Sequence, residues 1–343
     1  MKTAIFTIFV FFIVVLVHEF GHFIVAKLSG VLVHEFAIGM GPKILSFKKG
    51  ETDYTLRLLP IGGFVKMEGE DEDSDSERGF GKQPIGTRIA IVSAGAIMNF
   101  ILALVVFFIH AYTIGTPTTT ISGVTEGMPA QEAGLKEGDK IININNKEIK
   151  SWDNVIEEID KSGDKNIKIT VLRNEKEKTF NIEPVNAEKE NRLVIGVERG
   201  TERSFTGAVK ESVKNFASTI KMMLEFIGRI FQGNINKDEV SGPVGIVYAV
   251  GEVSKYGFMY VLLFTGLISI NLGLFNLLPI PALDGSRIVF LFIELLRGKP
   301  VDPNKEGFIH MIGFILLILL MIVVAYNDIV KFNILNKIAG LFR

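Results

Sequence analysis

TAIFTIFVFFIVVLVHEFGHFIVA, residues Thr3 to Ala26, decides how the rest of the chain is read. A span needs roughly 20 mostly apolar residues to cross about 30 Å of hydrocarbon, and Glu19 is the only Asp, Glu, Lys or Arg in this stretch. His18, Glu19 and His22 stand together on about one helical turn. A carboxylate near mid-membrane costs about 2.5–3.5 kcal/mol on insertion scales, so such a cluster points to a purpose. Positions i and i+4 of a helix share a face, and both imidazoles can therefore reach one metal ion. Glu19, beside His18, can handle the proton of a water molecule at that metal. Lys2 followed by an apolar run matches the first half of a signal peptide. No A-x-A-like cleavage site follows, so the segment is expected to stay as a span.

Working outward, three further stretches have span length and no Asp, Glu, Lys or Arg: Ile89 to Ile114, Gly257 to Leu283, and Phe308 to Tyr326. The expected fold is a polytopic α-helical membrane protein with four transmembrane helices in a lipid bilayer. Composition agrees: 48% of the 343 residues are hydrophobic and 22% charged, which excludes a disordered chain and argues against a wholly soluble one. The net charge of −1 gives no footprint for nucleic acid. The chain has no Cys, so disulfides, Cys-zinc sites and thiol catalysis are excluded. Any metal must be held by carboxylates and the five histidines, His18, His22, His34, His110 and His310.

The spans set the division of the chain: 1–27 as the first transmembrane helix, 28–88 as a loop, 89–115 as the second span, 116–187 as an inserted domain, and 188–256 as a linker. Then come 257–283 as the third span, 284–307 as a connection, 308–327 as the fourth span, and 328–343 as a tail. In the first loop, Ile44 to Phe47 and Tyr54 to Leu59 flank Lys48-Lys49-Gly50-Glu51 and predict a β-hairpin. Seven of the ten residues from Glu68 to Glu77 are acidic, a solvated run to which no chemistry is assigned. The inserted segment alternates β-type runs with turns, and Trp152 to Ile159 has helical spacing with Ser151 as its cap. The run Gly127 to Ile142 (GMPAQEAGLKEGDKII) resembles a bacterial PDZ domain, which implies an inserted α/β domain with a groove for a peptide or chain end. Val209, Val213, Phe216, Ile220, Met223, Ile227 and Ile230 recur at three- and four-residue spacing and predict an amphipathic helix.

Two histidines do not complete a catalytic zinc site, which has three protein ligands and one open position. His34 and Glu35 are the nearest candidates in sequence. Asp284, in Asn276-Leu277-Leu278-Pro279-Ile280-Pro281-Ala282-Leu283-Asp284-Gly285, is the other. Pro279 and Pro281 break the helix there, and irregular backbone at membrane depth survives only inside protein or beside a wet cavity.

His18 to His22, Gly95-Ala96-Ile97-Met98-Asn99, the PDZ-like insert, Ser241-Gly242-Pro243 and Asn276 to Gly285 together resemble the site-2 protease family of intramembrane zinc metalloproteases, of the bacterial RseP/RasP type. The motifs occur in the family's order over nearly the whole chain. Ser286-Arg287 departs from the Gly-His of some members, which leaves substrate preference open. The resemblance implies Zn2+ held by His18, His22 and Asp284, with Glu19 as the general base. It implies that Asn99 and Asn276 hold the substrate backbone or the developing oxyanion; hydrogen bonding between helices would also account for both. It further implies regulated intramembrane proteolysis of single-span membrane proteins, such as anti-sigma factors or remnant signal peptides.

Lys and Arg near the span ends set orientation. The loop Lys27 to Arg88 carries nine and the connection Pro279 to Gly307 four, against one at the N-terminal tip and three after Tyr326. This predicts a bacterial cell membrane protein with both termini outside and the active site toward the cytoplasm, where water can enter. The hairpin at Ile44 to Leu59 would accept the unwound substrate as an added strand. Two other readings compete: a membrane-anchored PDZ scaffold or pseudoprotease without activity, and a transporter whose polar residues line a pathway.

Overall fold

Inside hydrocarbon a backbone N–H must find its carbonyl within the same segment, so the uncharged apolar runs fold as helices. The structure, a computed structural model, describes residues 2–70, 74–163, 165–187, 192–234, 236 and 239–333. Of the expected acidic run, 71–73 lie outside the described residues, as do 334–343 of the tail. In chain order the elements are α1 (Lys2–Leu28), β1 (Val33–Lys49), β2 (Thr52–Met67), α2 (Ile85–Ile114), β3 (Thr116–Val124), α3 (Pro129–Glu132), β4 (Lys140–Ile144), β5 (Lys147–Glu148), α4 (Trp152–Lys161) and β6 (Ile167–Arg173). There follow β7 (Lys176–Ile182), β8 (Val185–Ala187), β9 (Arg192–Val194), β10 (Val197–Glu202), α5 (Phe205–Phe231), α6 (Pro243–Ser254), α7 (Phe258–Asn276), α8 (Asp284–Arg297) and α9 (Pro303–Lys331). Helices α1, α2, α7 and α9 are long and apolar enough to cross a membrane. The chain divides into two compact units, Met1–Phe107 with Ser212–Arg343, and Phe108–Glu211.

In the first unit α1 packs on α6 and α7 through Val10, Val250 and Val261. Helix α2 meets α7 through Ala103, Val106, Leu262 and Ile270. A third cluster joins α1, the β-hairpin, α2 and α8 around Phe23, Phe36, Val65, Ile91 and Leu291. The third apolar stretch is expected to run to Leu283, but its helix ends at Asn276. Pro279 and Pro281 forbid continuation, Ala282 takes a left-handed φ of +78°, and Asp284 opens α8. The short helices α6 and α8 lie where the sequence predicts only connections.

The hairpin is longer than its sequence signal. Residues 35–38 have partners on both sides, Lys66 to Gly63 and Asp53 to Leu56, so each long strand folds over into two segments. Gly39, Gly41 and Gly62 take positive φ and supply the bends. Reading them as strand ends makes the hairpin look half its length. Its far part exposes Met40, Ile44, Leu45, Phe47, Leu58 and Leu59.

In the second unit the sheet order is β10-β3-β4-β6-β7, with β5 on β4. Ile121, Ile141, Ile144, Ile167, Ile169 and Ile195 fill the core beside α4. Ser151 Oγ caps α4 by accepting from the Asn154 N–H at 3.4 Å. The sheet does not close at Ala187: β10 returns to pair antiparallel with β3, Val197 opposite Val124 and Glu202 opposite Thr116. Asp139 is wholly buried here. Arg173 Nε and an Arg173 terminal nitrogen each donate to it at 2.6 Å, and the Lys136 N–H donates at 2.9 Å. Burial opposes its ionisation most strongly, but the hydrogen bonds from Arg173 and the Lys136 N–H and the nearby positive charges of Arg173 and Lys178 together outweigh it and hold the carboxyl below its usual range.

Candidate metal centre

One turn of α1 places the His18 and His22 rings together, with Nε2 atoms 3.2 Å apart. Helix α2 lies directly under them. A Cβ on Gly95 would run into His22 Nε2 and His18 Cε1, so only glycine allows this approach. His22 Nδ1 lies 2.9 Å from the Ile91 carbonyl. Donating there leaves the Nε2 lone pair free to face inward. Asp284 arrives from the broken backbone before α8. Its Oδ2 is 3.2 Å from His18 Nε2 and 3.4 Å from His22 Nε2.

Those separations are close to hydrogen-bond lengths, yet Asp284 Oδ2 is buried and satisfies no hydrogen bond. The three ligand atoms stand 3.2, 3.2 and 3.4 Å from one another. Ligands about 2.0–2.2 Å from a tetrahedral zinc stand roughly 3.3–3.6 Å apart, and two nitrogens with one carboxylate oxygen form a donor set zinc accepts. The residues therefore fit the ion. Among the described residues, this is the one group of three His or acidic side chains whose ligand atoms all lie within 4.8 Å of one another.

Glu19 opens onto a cavity of about 520 Å3 that also borders His18, His22 and Asp284. A Cβ on Gly63 would come within 2.9 Å of the Glu19 side chain, so the β2 segment runs close alongside. Asn276 Nδ2 lies 3.5 Å from His18 Nε2. Asn99 is wholly buried, with Nδ2 3.3 Å from His18 Nδ1 and Oδ1 without any partner.

His34 and Glu35 are engaged elsewhere. His34 Nε2 is 2.5 Å from Glu68, and Glu35 takes Arg57 at 2.7 Å and the Thr55 hydroxyl at 2.6 Å. Several residues with long-range contacts carry no usable sequence signal. Glu70, within the acidic run, pairs with Arg287, and both border the cavity. Arg88 makes a two-pronged pair with Glu294 of α8 at 3.0 and 2.5 Å. Asp328 of α9 caps α6, accepting from the Gly242 and Gly245 N–H groups at 2.9 and 2.8 Å. That contact gives Ser241-Gly242-Pro243 a structural role.

Apolar spans around a buried His-His-Asp cluster, with a carboxylate beside it, define a membrane-embedded metallopeptidase. The profile of peptidase family M50 matches residues 6–320. The zinc metalloprotease RasP of Geobacillus kaustophilus is 35% identical, over 97% of this chain and 99% of that protein. The regulator of sigma-W protease RasP of Bacillus subtilis is 34% identical, over 96% and 98%. Among solved structures, the PDZ domain of an SdrC-like protein from Listeria monocytogenes aligns with 23% of this chain and 84% of its own, at 23% identity and a TM-score of 0.22. The chain belongs to peptidase family M50 and is a zinc metalloprotease.

Proposed function

We propose that His18, His22 and Asp284 hold one Zn2+ ion and that Glu19 is the general base for hydrolysis of a peptide bond within the membrane. The close grouping of three ligand atoms, with Asp284 Oδ2 otherwise unsatisfied, carries this reading. Zinc held there supplies a positive charge that acidifies water and polarises a carbonyl. Glu19 takes the proton of the attacking water and returns it to the leaving amine nitrogen. The Asn276 amide, beside His18 Nε2, donates to the substrate's carbonyl oxygen as charge gathers on it.

Asn99 takes a different role from the one the resemblance implies. It is wholly buried and, like Asn276, does not border the cavity; what sets it apart is that it meets His18 at Nδ1, the ring nitrogen away from the Nε2 that Asn276 faces. If His18 turns Nε2 to a metal, its Nδ1 carries the proton and needs an acceptor. The two amide atoms of Asn99 are told apart only by their hydrogen bonds. Turning the amide over sets the unpartnered Oδ1 on Nδ1–H and satisfies both groups. Asn99 then orients His18, as the Ile91 carbonyl orients His22.

The substrates are single-span membrane proteins already trimmed outside. The name of the Bacillus subtilis relative, regulator of sigma-W protease, supports anti-sigma factors as one class; remnant signal peptides are another. Gly63, Phe64, Val65 and Met67 border the cavity, so an unwound substrate meets this part of β2 and not Ile44 to Leu59. The active site faces the cytoplasm and both termini lie outside, with a PDZ-like peptide groove in the Phe108–Glu211 unit. A Cys placed at Ser74 should resist an impermeant thiol reagent in intact cells, and one at Ser162 should react; the opposite pattern would invert this orientation. The test of the activity is co-expression with a panel of single-span proteins, comparing the intact chain with Glu19→Gln. Equal cleavage by both would remove Glu19 from the chemistry.

A further inference from the structure

His310 belongs to no motif, yet it holds the turn that delivers Asp284. Its ring, on α9, borders the same cavity as His18, Glu19 and Asp284. The Ala282 backbone N–H donates to His310 Nδ1 at 3.1 Å. Because Nδ1 accepts, the ring's proton sits on Nε2, which lies 3.7 Å from a Glu306 oxygen. Ala282 is two residues before Asp284 and has a φ of +78°, a conformation that residues with a Cβ adopt only when their surroundings impose it. One turn further along α9, Gly313 lies against Pro281 so closely that a Cβ there would strike the Pro281 ring and carbonyl. The helix thus grips the turn at adjacent residues, by contact at Pro281 and by hydrogen bond at Ala282.

We propose that His310 is a positioning residue: its Nδ1 fixes the left-handed Ala282 turn, and through it the place of the Asp284 carboxylate relative to His18 and His22. This rests on the reading of those three residues as the metal ligands. Nδ1 is the functional atom, which separates the idea from simple packing. The oxygen of Asn occupies the place of a histidine Nδ1, whereas the amide of Gln reaches the place of Nε2. His310→Asn keeps an acceptor for Ala282, and His310→Gln and His310→Ala do not. A packing role would rank the variants by volume and make Gln the best tolerated.

The experiment is zinc affinity of the purified full-length protein in detergent, by competition with a chelator, with thermal midpoints measured alongside. His310→Ala and His310→Gln should bind zinc about 10–100-fold more weakly than wild type, the range for residues that orient metal ligands. His310→Asn should stay within a few-fold of wild type. Ala282→Gly, which removes the conformational strain, should restore part of the affinity lost in His310→Ala. Wild-type affinity in His310→Ala, or Gln tolerated better than Asn, would overturn the proposal. So would a failure of Ala282→Gly to rescue. A wild-type protein that takes up no stoichiometric zinc would instead sink the ligand assignment itself, and this inference with it.

Discussion

Asp139 and Asp284 are both aspartates set into protein interior, and their surroundings differ. Asp139 receives Arg173 twice and the Lys136 N–H once, so both its oxygens are satisfied within the chain. Asp284 turns Oδ2 toward two imidazole nitrogens at 3.2 and 3.4 Å and makes a proper hydrogen bond to neither. A buried carboxylate left unsatisfied is expensive, and native folds retain few of them. The first aspartate serves the fold that contains it. The second leaves Oδ2 without a hydrogen bond from the chain, as the proposed role of metal ligand requires.

The largest expected effect tests the centre without touching either aspartate. Glu19→Gln should lower cleavage by about 100- to 10,000-fold, the range of general-base catalysis, while bound zinc stays stoichiometric by metal analysis. Loss of zinc together with activity would make Glu19 a ligand. Next, Asp284→Ala should weaken zinc binding by more than about 100-fold, beyond what loss of a merely orienting residue causes. His34→Ala and Glu35→Ala should leave it unchanged. Full zinc in Asp284→Ala would erase the contrast between the two aspartates.

Asp139→Asn should do the reverse. It should leave zinc binding alone and destabilise the Phe108–Glu211 unit by about 3 kcal/mol, near the low end for breaking a buried pair because Arg173 keeps some exposure. Hydrogen exchange across β3, β4 and β6 in the full-length protein would read this. The sign of the pH effect follows from the lowered carboxyl. The stabilisation is complete above the unfolded value of about 3.9 and is lost as pH falls through the lower folded value. Asp139→Asn should lack that part of the acid sensitivity. The smallest effect belongs to Asn99→Ala, with zinc bound about tenfold more weakly. Asn99→Asp, which presents only acceptors to His18 Nδ1, should restore it; equal loss in both would return Asn99 to helix packing or substrate contact.

The contrast also marks what the sequence makes legible. His18, Glu19 and His22 are readable because polar residues at helical spacing in an apolar run carry an insertion cost that a shared task must offset. The four helices of span length are readable because uncharged apolar runs of that length are rare outside membranes. Asp284 is singled out by the prolines before it, although local sequence leaves His34 and Glu35 as rivals until the fold engages both elsewhere. The full hairpin is hidden, because its strands continue through bends at Gly39, Gly41 and Gly62, beyond the runs Ile44 to Phe47 and Tyr54 to Leu59 that carry the local signal. The contacts of Glu70, Arg287 and His310 give no signal: each pairs with a residue distant in sequence, and no local period records such pairings. For Asn99 the sequence leaves substrate contact and hydrogen bonding between helices open, and its contact with His18 Nδ1 becomes visible only when the helices pack.

The centre draws His18 and His22 from the first helix and Asp284 from the start of the eighth. On a ribosome the histidines emerge early and the carboxylate late. A chain halted between His22 and Asp284 would carry the proposed base and two nitrogen donors but not the third proposed ligand. On that ligand assignment, hydrolytic competence would arrive only after Asp284 has been made, most of the way along the chain.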